Sequence, residues 1–224
     1  MEWARLFERA EASETTVEAV RESLARRRGA GGGETNEASD GHDDSEGAED
    51  GADTEPGADD GRDASDDSRT AVSPARVVAD ADVLAADLLC GGPARAALDH
   101  VRRHAWVTLV ASEQLLADAE AIVREHGDPG LAADWRARID ADSERVEHPA
   151  GDHPGLASAY RGGAAHLLSY DDDLRSVETG LALQPHMQLS VRPPDAFAAL
   201  FDPEPLYETV EGGAYPGPDR DPRA

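Results

Sequence analysis

The chain has 224 residues, a formal net charge of -26, one Cys and only 4% aromatic residues. That length suits one ordinary domain with extra segments, built on a core of Ala, Val and Leu. The lone Cys90 excludes an intrachain disulfide and a Cys-based zinc site. All 21 basic side chains are Arg and none is Lys. An acid-rich, Lys-free composition suits a salt-rich cytosol, where at about 1 M salt the Debye length is roughly 3 Å and self-repulsion is screened. No segment approaches the ~18 consecutive apolar residues of a spanning helix. The opening MEWARLFERAEAS has no signal-peptide core. A soluble, cytoplasmic protein away from membranes is expected.

Residues 1–28 predict one or two amphipathic helices. Trp3, Leu6 and Phe7 stand at helical spacing, and Val17, Val20 and Leu24 share a second face. Glu18 follows Thr15 by three residues, a capping-box spacing. So short a segment cannot bury its face alone, and it is expected to pack back on the main domain or to dock on a partner. Arg26 to Arg28 read as a complement to the helix dipole. Residues 29–74 read as a disordered acidic linker. Between 30 and 70, fifteen acids stand against two Arg, a net of -13, half of the total charge. No aliphatic residue larger than Ala occurs through residue 68, so ordering the segment would bury nothing.

From 75 to 207 strand and helix patterns alternate. Ala75 to Ala79 is a buried strand ending at Asp80, with a helix to Leu89. Gly91-Gly92-Pro93 breaks it, and Pro93 starts the next helix. Trp106 to Val110 is a second strand, and Ser112 caps a helix bearing Leu115, Leu116, Ile122 and Val123. After the turn at Gly127, residues 131–139 are helical and 145–147 form a weak strand. A helix over 156–160 precedes the strand Ala165 to Ser169. Residues 188–191 are another strand, and 195–201 a closing helix. The alternation argues a short, mostly parallel sheet with helices on both faces. Residues 208–224, rich in Gly and Pro, read as a flexible tail.

Carboxylates recur at equivalent places in these units. Asp80 and Asp82 end the first strand, and Asp171, Asp172 and Asp173 follow AHLLS. Asp118 lies in the helix after the second strand, and Asp152 just before the helix LASAY. The ends after parallel strands share one edge. Acids gathered there repel one another unless a cation is present. Hard oxygen donors suit Mg²⁺ or Mn²⁺, whose common work is activating water for attack on a phosphodiester. Arg161 and Arg175 are available as phosphate contacts, and Tyr170 as a stacking surface.

The pieces VVADADVLAADLL, VASEQLLADAEAIV, GDHPGLASAYRGGAAHLLSYDDDL and LSVRPPDAFAALF, taken in order, resemble the successive motifs of the PIN domain. That resemblance spans about residues 75 to 205. It implies a three-layer α/β/α sandwich and an Mg²⁺- or Mn²⁺-dependent endoribonuclease. It also implies catalytic roles for Asp80, Asp118, Asp152 and Asp171, with Asp80, Asp152 and Asp171 on the metal. Asp82, Ser112, Ser169 and Asp173 would support them. Asp118 stands where the family commonly has Glu, and Ser169-Tyr170 where it has Thr-Gly. Many members dimerise, and many are toxins paired with an antitoxin, so a homodimer and an antitoxin-like protein partner on the N-terminal helices are expectations too. A non-catalytic PIN-like module remains an alternative. A haloacid-dehalogenase-type phosphatase also opens on a strand ending Asp-x-Asp, but it needs a Lys that this chain lacks.

Overall fold

The computed structural model describes residues 1–31, 70–149, 151–183 and 187–224. Most of the expected linker, and His186, lie outside the described residues.

Five strands form one all-parallel sheet: β1 (Ser73–Ala79), β2 (Thr108–Ser112), β3 (Ser143–Val146), β4 (Ala164–Leu168) and β5 (Ser190–Arg192), in the order β3-β2-β1-β4-β5. Helices cover both faces, giving a three-layer α/β/α sandwich. Central β1 is covered on both sides, so Val77, Val78 and Ala79 are all buried, as a continuous apolar run in a parallel sheet requires. The chain steps outward from β1 to β2 and β3 through α3 (Ala81–Leu89), α4 (Gly92–Arg102), α5 (Glu113–His126) and α6 (Pro129–Asp142). It then returns through α7 (Pro154–Gly162) to β4 on the far side of β1. Right-handed crossovers running in opposite directions put α7 on the face opposite α3 and α5. This reversal makes the gap between the ends of β1 and β4 a topological switch point, where open α/β sheets bind ligands.

α7 ends on Gly163, at φ 60°. A Cβ there would collide with the carbonyl oxygen of Ala71, so glycine is required by both its backbone and its surroundings. α8 (Val177–Leu183), α9 (Pro194–Leu200) and α10 (Pro203–Val210) complete the chain. Of these, α8 and α10 carry no sequence signal strong enough to predict. α10 buries none of its residues and starts on an Asp202 cap, so no apolar stripe announces it. β2 begins at Thr108, two residues later than expected. Trp106 stays outside it, half-buried against His104 and Tyr207.

The N-terminal helices α1 (Trp3–Ala10) and α2 (Val17–Gly31) pack in cis on this domain. Trp3, Leu6, Phe7, Val20 and Leu24 join the core. Trp3 Nε1 donates to Asp142 at 2.7 Å, and the Arg102 guanidinium lies 4.1 Å from the Trp3 ring centroid. Of the two expected arrangements, packing back on the domain or docking on a partner, the chain adopts the first for this apolar face. The tail also departs from expectation. Tyr215 OH lies 2.6 Å from His104 Nε2, Asp219 accepts from the Ala105 N–H, and Arg223 pairs with Asp99 at 2.7 Å. Residues after 207 are held by polar groups and ring contacts, which leave no periodic pattern to read. Among the described residues no helix is long and apolar enough to cross a membrane.

Candidate functional site

The C-terminal ends of β1 and β4 bring Asp80 and Asp82 beside Ser169, Tyr170 and Asp171. Asp80 is N-cap of α3, and its Oδ1 accepts from the Ala81 N–H at 2.8 Å. Its own N–H donates to the Leu168 carbonyl at 2.8 Å, tying the two strand ends together. Ser169 Oγ donates to Asp80 Oδ2 at 3.3 Å and accepts from the Asp171 N–H at 3.0 Å. The Tyr170 N–H donates to Asp82 Oδ2 at 3.1 Å. Asp171 then turns the loop by accepting from the Asp173 N–H. Gly155, at the start of α7, closes the floor: a Cβ there would stand 3.4 Å from Asp80 Oδ1.

Asp82 is 2% exposed, and its Oδ1 has no hydrogen-bond partner among the described residues. Burial, and then the neighbouring Asp80, push its carboxyl up to about 8, so it is protonated at neutral pH. Burial likewise raises Asp118, against the pull of Arg27. A buried carboxyl displaced this far, in a cluster at a switch point, is a functional-site signature.

A guanidinium stands in the middle of this array. Arg28, near the end of α2, donates to both oxygens of Asp80, at 2.7 Å and 3.3 Å, and to His153 Nε2 at 2.9 Å. Asp80 is fully buried, so this is a desolvated pair rather than a surface contact. Arg27 lies 3.7 Å from Asp118, and Arg21 3.2 Å from Asp172. His153 is held neutral by burial, its pKa lowered despite Asp80, which fits its role as acceptor from Arg28.

Four of the expected acids, Asp80, Asp82, Asp118 and Asp171, thus surround one region. Asp80, Asp82 and Asp118 all bear electrostatically on Arg28, and His153 senses Asp171. Asp152 differs: it is exposed, and its neighbour His153 faces Asp80 at 3.9 Å. A one-residue offset in the loop before α7 turns the imidazole inward and the carboxylate out. Asp173 is exposed on the rim of the neighbouring cleft. Ser112 is buried at the end of β2, accepting from the Leu115 N–H and lying 3.0 Å from His148 Nε2. Arg161 sits in the last turn of α7, about 10 Å along the helix from its Asp80 end, and so away from the acids. Arg175 is engaged by Asp172 and the Asp171 carbonyl. Tyr170 is half-buried, its hydroxyl pushed up to about 12 by burial and by Asp82. Arg28 and His153 are the site residues that sequence reasoning missed. Three consecutive arginines ending a helix were the one available signal, and a dipole role accounts for them equally well.

Carboxylate oxygens and a serine hydroxyl are the donors a hard divalent ion takes. The present arrangement does not accept one: Arg28 engages both oxygens of Asp80, and among the described residues no three acidic, His or Cys side chains are set to hold a metal. A separate cleft of about 570 Å³ lies at the opposite end of the sheet, lined among others by Trp3, Arg102, Thr108, Arg138 and Arg220, and has none of these acids.

A family model described as a family of unknown function, DUF7384, matches residues 71–223. The chain belongs to DUF7384. No curated protein and no solved structure matches it. The DUF7384 match takes in the whole sheet, every acid of the switch point and the tail through Arg223. It leaves α1 and α2, with Arg28, outside the matched residues.

Proposed function

We propose that this DUF7384 chain is an Mg²⁺- or Mn²⁺-dependent endoribonuclease of PIN type. One observation carries the reading: acids far apart in sequence, Asp80, Asp82, Asp118 and Asp171, gather at the switch point of a parallel sheet, and one of them keeps a buried oxygen without a partner among the described residues. The RNA substrate comes from the motif resemblance. A hard divalent ion supplies Lewis acidity for attack of water on a phosphodiester. The chain's own part is to fix the donors. Ala81 N–H and Ser169 Oγ hold Asp80, the Tyr170 N–H orients Asp82, and the turn at Asp173 orients Asp171. Asp82 keeps its proton near neutral pH, which lowers the charge that the cluster must bear.

A second reading, a binding module without catalysis, is favoured by Arg28, which already balances Asp80. The test that separates them uses Arg28→Gln in salt-rich buffer with Mn²⁺ and a single-stranded RNA. The ribonuclease reading expects cleavage that Asp171→Asn abolishes. An Arg28→Gln protein that binds Mn²⁺ and leaves the RNA whole would overturn it in favour of the binding module.

A further inference from the structure

We propose that α2 is a removable plug built into the chain: the Arg28 guanidinium occupies the place of the cation, so α2 docking and divalent-metal binding exclude each other. This rests on the cation-dependent reading above. Three independent observations carry it. The first is that the pairing is systematic. The four arginines of α2, Arg21, Arg26, Arg27 and Arg28, pair with Asp172, Glu125, Asp118 and Asp80 of the domain. α1 is held mainly by its buried Trp3, Leu6 and Phe7, with one arginine, Arg9, paired to Asp134, whereas α2 buries only Val20 and Leu24 of its apolar side chains. The N-terminal segment is thus an aromatic anchor followed by a helix with a smaller apolar face and a row of ion pairs, and an ion pair can exchange its cation for another where a buried aromatic cannot.

The second is the fit to what a cation would meet. Between α2 and the domain runs a cleft of about 450 Å³, lined by Glu18, Glu22, Asp82, Asp171 and Asp173 against Arg21 and Arg28. Undocking of α2 withdraws Arg21 and Arg28 together with Glu18 and Glu22, and leaves Asp82, Asp171 and Asp173 to the ion. Asp82 Oδ1, buried and unpaired among the described residues, belongs to a side chain that lines the same cleft. An ion entering here reaches the cluster directly beside Arg28. The third is that, among the described residues, Arg28 is itself imperfectly satisfied: its buried Nε has no partner there. The pair holds Asp80 without satisfying every group it buries, which lowers the barrier to exchange.

The experiment is hydrogen exchange on the full chain at roughly 1 M KCl, read over α2, α1 and β1 while Mn²⁺ is titrated, for the wild type and Arg28→Gln. Exchange over α2 should rise with Mn²⁺ while α1 and β1 stay protected. The Mn²⁺ concentration at half effect should fall about tenfold or more in Arg28→Gln, because a closed fraction weakens apparent affinity in proportion. Should Arg28→Gln not fold, Arg28→Lys, which keeps the charge and loses the fork, should shift the midpoint in the same direction. Mn²⁺ saturating the wild type with α2 still protected overturns the plug, as does a midpoint unmoved by the substitution. Mn²⁺ without effect on either protein also overturns it. RNA cleavage is a separate readout: α2 released by Mn²⁺ with no RNA cut leaves the plug standing and removes the ribonuclease.

Discussion

Replacing Arg28 by Gln removes one partner of a desolvated ion pair while leaving the other in place. The Asp80 side chain is 0% exposed and that of Arg28 is 24% exposed. Removing one partner of a buried pair costs about 3–5 kcal/mol. The partial exposure of Arg28, and the Ala81 N–H and Ser169 hydroxyl that Asp80 retains, put this case at the lower end, about 3 kcal/mol. Asp80→Asn in the Arg28→Gln background removes the orphaned charge, so the double variant should be more stable than Arg28→Gln alone, with a coupling of about 2 kcal/mol. The assay is urea denaturation in salt-rich buffer for the four members of the cycle, followed by circular dichroism. Arg28→Gln costing less than about 1 kcal/mol, the scale of an exposed pair, would refute the burial argument. So would additivity of the two substitutions.

Three further outcomes follow from the same structure. The carboxyl of Asp82 is raised in the folded state to about 8, against about 3.9 in an unfolded chain. Its contribution is therefore full below pH about 4 and is lost as pH rises through about 8. Asp82→Asn should gain stability relative to wild type across that window and level off above it; a difference flat with pH, followed by denaturation at several pH values, contradicts this. Trp3→Ala should cost about 3–5 kcal/mol as a fully buried large-to-small change, whereas a thermal midpoint equal to wild type would show α1 undocked in solution. Gly163→Ala, which forces a Cβ against the Ala71 carbonyl at φ 60°, should cost about 1–3 kcal/mol by chemical denaturation. Gly92→Ala, at a similar φ with open space around it, should cost about 1 kcal/mol, and equal costs would contradict the steric argument.

β1, β2 and β4 were legible because buried parallel strands read as apolar runs, and acids follow close on the ends of β1 and β4. The positions of Asp80, Asp82 and Asp171 follow from that alone, since every strand of a parallel sheet delivers its last residues to one edge. Arg28 was not legible. Its helix carries a short apolar face that says it packs somewhere, while where it packs is fixed by Trp3, Phe7 and the cations stacked over them, contacts with residues about 90 or more positions away in the chain. His153 was missed for a smaller reason. In GDHPG the backbone turn decides which of two adjacent polar side chains points inward, and composition gives no register in a loop. The tail leaves no pattern to read because its hold on the domain is made of single polar contacts, such as Tyr215 on His104.

The central claim is that the acids at the ends of β1 and β4 form one cation site, filled in this structure by Arg28. Anomalous scattering from crystals of Arg28→Gln grown with Mn²⁺ tests it most directly. The account predicts one Mn²⁺ coordinated by oxygens of Asp80 and Asp171. Mn²⁺ bound only at outlying surface acids, with the space left by the guanidinium holding none, would contradict it.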